Sequence, residues 1–76
     1  MARAFLKINV EPGEEKEVIV RLKSFENVVD ANLTSGEQDI IAQIKASNYE
    51  ELMRFVVTEL RATGGITKTI TNLILD

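Results

Sequence analysis

Apolar and polar residues alternate along four short stretches of the chain. In the first of them the apolar side carries Ala4, Leu6, Ile8 and Val10. A period of two residues is typical of strands with one buried face. The four predicted strands cover residues 3–10, 28–34, 39–45 and about 66–75. Apolar residues occur on both sides of the last stretch, so the pattern does not decide which side of this strand faces the core.

Two further stretches have the helical period. The first follows Glu11-Pro12-Gly13, begins with several glutamates and carries the apolar residues Val18, Ile19, Leu22 and Phe25. Asn27 is expected to end it in the left-handed conformation. The second is predicted to begin at Ser47, the first residue of a capping box, and to end at Gly64-Gly65. Its predicted core-facing residues are Tyr49, Leu52, Met53, Val56, Val57 and Leu60.

The order strand, helix, strand, strand, helix, strand predicts a ferredoxin-like βαββαβ sandwich. This is an α+β fold with a four-stranded antiparallel sheet and two helices on one face, and at 76 residues it forms one domain over residues 1–76. A core of this size gives a thin stability margin, and small domains compensate by association when disulfides and metals are missing. We therefore expect a self-associating domain.

The sheet face away from the helices carries a mixture of apolar and polar side chains. Its central residues are Phe5, Lys7, Ile41 and Gln43. Such a face suits sheet-on-sheet dimerisation, with Phe5 and Ile41 buried and longer side chains at the rim. The alternative is a solvated face on which a few apolar residues have no special role.

Composition narrows the chemistry. The chain has no Cys and no His, which leaves no Ser-His or Cys-His pair and no usual zinc site. The net charge is -3 and the nine basic residues are scattered, so direct binding to nucleic acid is not expected. No stretch resembles a signal peptide or reaches the roughly 20 apolar residues of a spanning helix. We expect a cytoplasmic domain with no catalytic residues, metal or cofactor, and without membrane contact.

The connection between the second and third strands has the composition of a ligand-binding loop. It combines Gly36 with the carboxylates of Glu37 and Asp39. Exposed backbone amides at a glycine can bind the carboxylate of a free amino acid, and Asp39 can accept a bond from its ammonium group. The alternative is structural, with Gly36 serving only the turn and Asp39 only capping the hairpin.

The segment Thr34-Ser35-Gly36-Glu37-Gln38-Asp39-Ile40-Ile41-Ala42 resembles the TGEYDIIA-type segment of the effector-binding (RAM) domains of Lrp/AsnC transcription regulators. Glu11-Pro12-Gly13 is similar to the family's entry into its first helix, and Lys68-Thr69-Ile70-Thr71 is similar to its final RTxT-like strand. The resemblance covers essentially the whole chain. It departs at Gln38, where the family usually has an aromatic or apolar residue, and the family's N-terminal helix-turn-helix is not in these residues.

The resemblance implies homodimers built by sheet packing, which associate further and hold an amino-acid effector near the hairpin loop at contacts between dimers. By position, the implied effector-binding residues are Gly36, Glu37, Gln38, Asp39, Thr69 and Thr71. Full-length Lrp/AsnC regulators are possible partners through mixed assembly, without direct DNA binding by this chain.

Two other functions stay open. One is a small enzyme of the dimeric α/β barrel type, for which Tyr49 and the carboxylates are the available catalytic groups. The other is an assembly module without a ligand, in which the hairpin loop is only an interface.

Overall fold

A computed structural model describes residues 1–76 and contains the predicted elements in the predicted order. The strands are β1 (Ala2–Val10), β2 (Val28–Leu33), β3 (Ile40–Ala46) and β4 (Ile66–Leu73); the helices are α1 (Glu15–Lys23) and α2 (Tyr49–Arg54), and α2 continues as a π-helix over Phe55–Leu60. The strands form one antiparallel sheet in the order β2-β3-β1-β4. The predicted ferredoxin-like βαββαβ fold is confirmed.

The core lies between the helices and one face of the sheet, and no polar or charged residue is buried in it. In β1 and β3 the alternation predicted the buried face correctly, because Leu6 pairs with Ala42 and Ile8 with Ile40. The sheet contributes Ala4, Leu6, Ile8, Val10, Ala31, Ile40, Ala42, Ile44 and Ala46; the helices contribute Val18, Leu22, Leu52, Phe55, Val56 and Leu60.

Strand β2 departs from the predicted alternation. A bulge shifts its pairing with β3 between Val28 and Asp30, and Val28 packs against the core. Of the predicted apolar side, Ala31 is buried, whereas Val29 and Leu33 are each 52% exposed. The bulge and the edge position of β2 explain this difference, because an edge strand is covered by fewer neighbours.

The structure shows which side of β4 faces the helices. Thr69, Thr71 and Leu73 pair with helix-facing residues of β1, whereas Ile70 pairs with Lys7 on the opposite face. A register shift at the end of β1 places Ile66 opposite Val10. The strand ends at Leu73 and not at Leu75 as predicted.

Both predicted helix boundaries with specific caps were wrong. Asn27 does not adopt the left-handed conformation. Its backbone carbonyl accepts from the N–H of Lys45 at 2.8 Å, and its side-chain amide donates to the Lys45 carbonyl at 2.9 Å. Helix α2 is capped by Asn48, whose Oδ1 accepts from the N–H of Glu51 at 2.9 Å, one residue later than the predicted cap Ser47.

The π-helix changes which residues of the second helix are buried. The Thr58 hydroxyl donates to the Arg54 carbonyl at 2.6 Å, and the N–H of Arg61 reaches the carbonyl of Val56. A Thr hydroxyl that donates to the carbonyl four residues earlier competes with the regular backbone hydrogen bond of the helix. Phe55, which the helical period did not predict, is buried, and Val57 is 51% exposed.

Candidate functional site

The hairpin loop, residues 34–39, is closed by bonds from one residue at its start. The N–H of Thr34 donates to the carbonyl of Asp39 at 3.0 Å, and its hydroxyl donates to the carbonyl of Gln38 at 2.9 Å. Between them Gly36 has φ +122°, and a Cβ added there would meet no atom within 4 Å. The backbone conformation, and not a lack of space, therefore requires glycine at this position.

Three hydrogen bonds attach the hairpin loop to the end of β1. The N–H of Asp39 donates to the carbonyl of Ile8 at 3.0 Å, and its Oδ2 accepts from the N–H of Val10 at 2.9 Å. The side-chain amide of Asn9 donates to the carbonyl of Glu37 at 2.9 Å. Strand β1 thus fixes the position of the loop.

These bonds engage the carbonyls in the second half of the loop and leave the N–H groups of its middle residues free. The carbonyls of Glu37, Gln38 and Asp39 all accept bonds, whereas the N–H groups of residues 35–38 have no acceptor within the chain. The second carboxylate oxygen of Asp39, Oδ1, has no donor within the chain. The loop can therefore offer backbone donors to an anion and one carboxylate oxygen to a cation.

The six residues implied by the family resemblance do not converge within one chain. Gly36, Glu37, Gln38 and Asp39 lie together in the hairpin loop. Thr69 pairs with Ile8, on the other side of β1 from Ile40, which places it about 10 Å from β3 at the usual strand spacing. Thr71 lies one step further along β4, opposite Leu6. Thr69 and Thr71 form a second, separate group on the helix-facing side.

Two polar residues on the open side of the sheet, Asn9 of β1 and Lys68 of β4, were not identified from the sequence. Asn9 holds the Glu37 carbonyl, and in the sheet it pairs with Lys68 of β4. The alternation placed Asn9 on the open side of β1, but its contact to Glu37 spans 28 residues, and no local pattern predicts a contact at that separation. Lys68 is therefore a cation beside Asn9 on the same face of the sheet.

The open face of the sheet groups the four predicted interface residues. Phe5 pairs with Gln43, and Lys7 pairs with Ile41. Strand β4 adds Ile70 beside Lys7. Phe5 is 45% exposed and Ile70 is 38% exposed, although both are large apolar side chains. The open face therefore has an apolar centre that this chain alone does not cover.

The rest of the chain offers little other chemistry. No three His, Cys, Asp or Glu side chains group as metal ligands. The ion pairs Glu17–Arg21 and Glu50–Arg54 are exposed and join residues one helical turn apart. No helix is both long and apolar enough to cross a membrane.

The chain is thus a small α+β domain with one loop that carries free backbone N–H groups and one sheet face with an apolar centre. Comparison with known families matches residues 3–76 to the Lrp/AsnC ligand binding domain. The chain belongs to this family.

Relatives in sequence are named as transcriptional regulators. The chain is 32% identical over 71 residues to an uncharacterized HTH-type transcriptional regulator of Pyrococcus horikoshii, covering 90% of this chain and 47% of the relative. It is 31% identical over 72 residues to the HTH-type transcriptional regulator FL11 of Pyrococcus furiosus, covering 95% and 47%. The chain thus spans about half the length of the curated relatives it matches.

Solved structures give the same fold. A hypothetical protein from Pyrococcus horikoshii superposes with a TM-score of 0.94 at 26% identity, covering 100% of this chain and 92% of that one. The transcriptional regulator NMB0573 of Neisseria meningitidis, solved as a complex with L-Met, superposes with a TM-score of 0.87 at 17% identity, covering 99% and 50%. At that identity the second likeness concerns the fold alone.

Proposed function

We propose that this domain senses a free amino acid and converts its binding into a change of assembly state, within Lrp/AsnC-type transcription regulation. The observation that carries the proposal is the hairpin loop, in which the carbonyls of residues 37–39 accept bonds and the N–H groups of residues 35–38 are free. The L-Met complex of the structurally similar Neisseria regulator adds support for an amino acid as the class of ligand.

The loop would hold the two charged groups of an α-amino acid at different points. The free N–H groups of Ser35 and Gly36 donate to the carboxylate of the ligand, as consecutive backbone amides do in anion-binding loops. The unpaired Oδ1 of Asp39 accepts from the ammonium group. Glu37 and Gln38 lie beside these groups and contact the ligand's side chain.

The second group of residues belongs to a neighbouring molecule in this proposal. Thr69 and Thr71 lie two strands from the loop and face the helices, so one chain does not bring them to Asp39. A ligand bound between the hairpin loop of one dimer and β4 of another completes its site only in the larger assembly. Occupancy then favours that assembly by mass action.

Dimers form through the open face. Packing two such faces together buries Phe5, Ile41 and Ile70, which a monomer leaves partly in water. Lys7 and Gln43 lie among them and keep their polar ends toward the edge of the contact. The hairpin loop lies beyond the paired residues Leu33 and Ile40, at the end of the sheet, and so outside the centre of this contact.

The partners follow from the family. Full-length Lrp/AsnC regulators share this fold, so mixed assembly with them gives the domain access to transcription without touching DNA itself. With a net charge of -3 and scattered basic residues, the chain does not offer the basic surface that duplex binding needs. The curated relatives are named as regulators and not as enzymes, which favours binding over catalysis.

One observation favours a second function, an assembly module without a ligand. Oδ2 of Asp39 already accepts a hydrogen bond from the N–H of Val10. This structural bond alone can explain why an acidic residue occupies position 39. In that case the loop is only a structural or interface element.

A thermal-shift screen of the twenty amino acids separates the two functions. At a ligand concentration 100-fold above Kd, binding stabilises the native state by about 2.7 kcal/mol, which raises Tm by roughly 10–20 °C in a domain of this size. Asp39→Asn should abolish the response, and Glu59→Gln, which changes an exposed acid away from the loop, should retain it. Absence of any response in the wild type would favour the ligand-free module.

A further inference from the structure

A groove of about 360 Å³ separates α1 from the edge strand β2 on the helix side of the sheet. Its floor is apolar. Val20 of α1 is 69% exposed, Leu33 of β2 is 52% exposed, and both line the groove. The remaining lining residues are Lys16, Ile19, Lys23, Ala31 and Asn32. The lining includes no residue of the hairpin loop, which begins directly after Leu33, and none of Phe5, Lys7, Ile41 and Gln43.

The charges of the groove are arranged symmetrically along α1. Lys16, Ile19, Val20 and Lys23 follow the spacing i, i+3, i+4, i+7, which places them in one line on the helix. A lysine therefore stands at each end of the line, and two apolar side chains lie between them. Neither lysine takes part in an ion pair or a side-chain hydrogen bond within the chain, in contrast to Arg21 on the same helix, which bonds Glu17 and the Gly64 carbonyl.

The outer backbone edge of β2 is unfavourable for binding an extended peptide strand. The N–H of Thr34 donates to the carbonyl of Asp39 toward β3, so by strand alternation the N–H of Ala31 points to the outer edge. That N–H is already bound by Oδ1 of Asp30 at 2.9 Å, and Asp30 is held in turn by the side-chain amide of Asn32. An extended segment adding to this edge would have to displace the carboxylate.

We propose that the groove between α1 and β2 binds an acidic amphipathic helix of a partner protein. The two lysines are separated by seven residues, about 10 Å along a helix. A partner helix matches this spacing with acids at i and i+7 and large apolar residues at i+3 and i+4. Its apolar residues cover Val20 and Leu33, and its acids pair with Lys16 and Lys23.

A second copy of this chain does not supply such a helix. Among its twelve acidic residues, the two that are seven positions apart are Asp30 and Glu37. Asp30 lies in β2 and Glu37 in the hairpin loop, so neither belongs to a helix. The complementary segment therefore belongs to a different protein.

The test uses two synthetic helical peptides of equal length. Both carry Leu at i+3 and i+4; one has Glu at i and i+7, and the other has Lys at these positions. Titration of the 15N-labelled protein should shift the amide signals of Val20 and Leu33 with the acidic peptide. The double variant Lys16→Glu/Lys23→Glu should bind the acidic peptide roughly tenfold more weakly, the effect of about 1.4 kcal/mol for two exposed pairs, and should now prefer the basic peptide.

Each other result overturns the proposal. Equal binding of the two peptides, shifts outside the groove, or no shift at millimolar peptide would show that the charge pattern has no recognition role. Self-association that Val20→Glu abolishes would assign the groove to a second copy. An extended acidic peptide that binds the wild type and the Asp30→Ala variant with equal affinity would show that the strand edge, and not the groove, is the docking site.

Discussion

The Oδ2 atom of Asp39 accepts a hydrogen bond from the backbone N–H of Val10 at 2.9 Å. This bond joins the hairpin loop to the end of β1, where the pairing of β1 with β4 shifts register. One carboxylate oxygen thus holds the loop in place, and the other has no partner within the chain. The structural role of Asp39 and its proposed role in ligand binding are therefore separable by mutation.

Asp39→Ala should lower the free energy of unfolding by about 1–2 kcal/mol, because the half-buried N–H of Val10 loses a charged acceptor. Asp39→Asn should cost less, since the amide oxygen can still accept this bond. Urea denaturation followed by circular dichroism measures both. If Asp39→Ala were as stable as the wild type, the bond would not hold the loop.

Two of the three glycines at positive φ, Gly36 and Gly65, should differ in their tolerance of alanine. Gly36→Ala should cost about 1 kcal/mol, because its φ of +122° is strained for any side chain while the surrounding space is open. Gly65→Ala should cost clearly more, since its Cβ would lie 2.9 Å from Cγ2 of Val18 in the core. Denaturation midpoints of the two variants test this order, and equal losses would contradict it.

Helix capping gives a sharp test of the observed boundary of α2. Asn48→Ala should destabilise the domain by about 1 kcal/mol, because Oδ1 of Asn48 caps the N–H of Glu51. Ser47→Ala is the matched control and should be nearly neutral. The reverse order in thermal denaturation would mean that the helix starts at the capping box read from the sequence.

The sequence predicted the fold because its signals are local. The alternation in β1 and β3 and the stops at Gly13 and Gly65 depend on neighbouring residues, and they identified the elements and the buried faces of these strands. The bulge in β2 was not predictable, because Val28 enters the core through its pairing with Ile44 of another strand. The π-helix likewise replaces the 3.6-residue period on which the predicted apolar stripe was based.

The site was predictable only in part for the same reason. The composition of residues 36–39 identified the loop, since a glycine and two carboxylates stand within four positions. The bonds that hold the loop in place join it to Asn9 and Val10, about thirty residues away in sequence. The separation of Thr69 and Thr71 from the loop likewise required the sheet order.

Self-association through the open face should depend on its apolar centre. Phe5→Glu or Ile41→Lys should convert a dimer into a monomer, because a charge would be buried between the two sheets. Val57→Glu is the control, since Val57 is 51% exposed, similar to Phe5 at 45%, but lies on the second helix. Sedimentation velocity at a fixed concentration distinguishes the species. A dimer that survives both open-face substitutions would place the interface elsewhere.

The most direct test of the central claim is native mass spectrometry of the wild-type domain with and without each amino acid. We expect a dimer that, with one amino acid or a few related ones, shifts to a larger assembly retaining the ligand. Asp39→Asn should remain a dimer under the same conditions. A monomer, or a dimer whose mass no amino acid changes, would contradict the account.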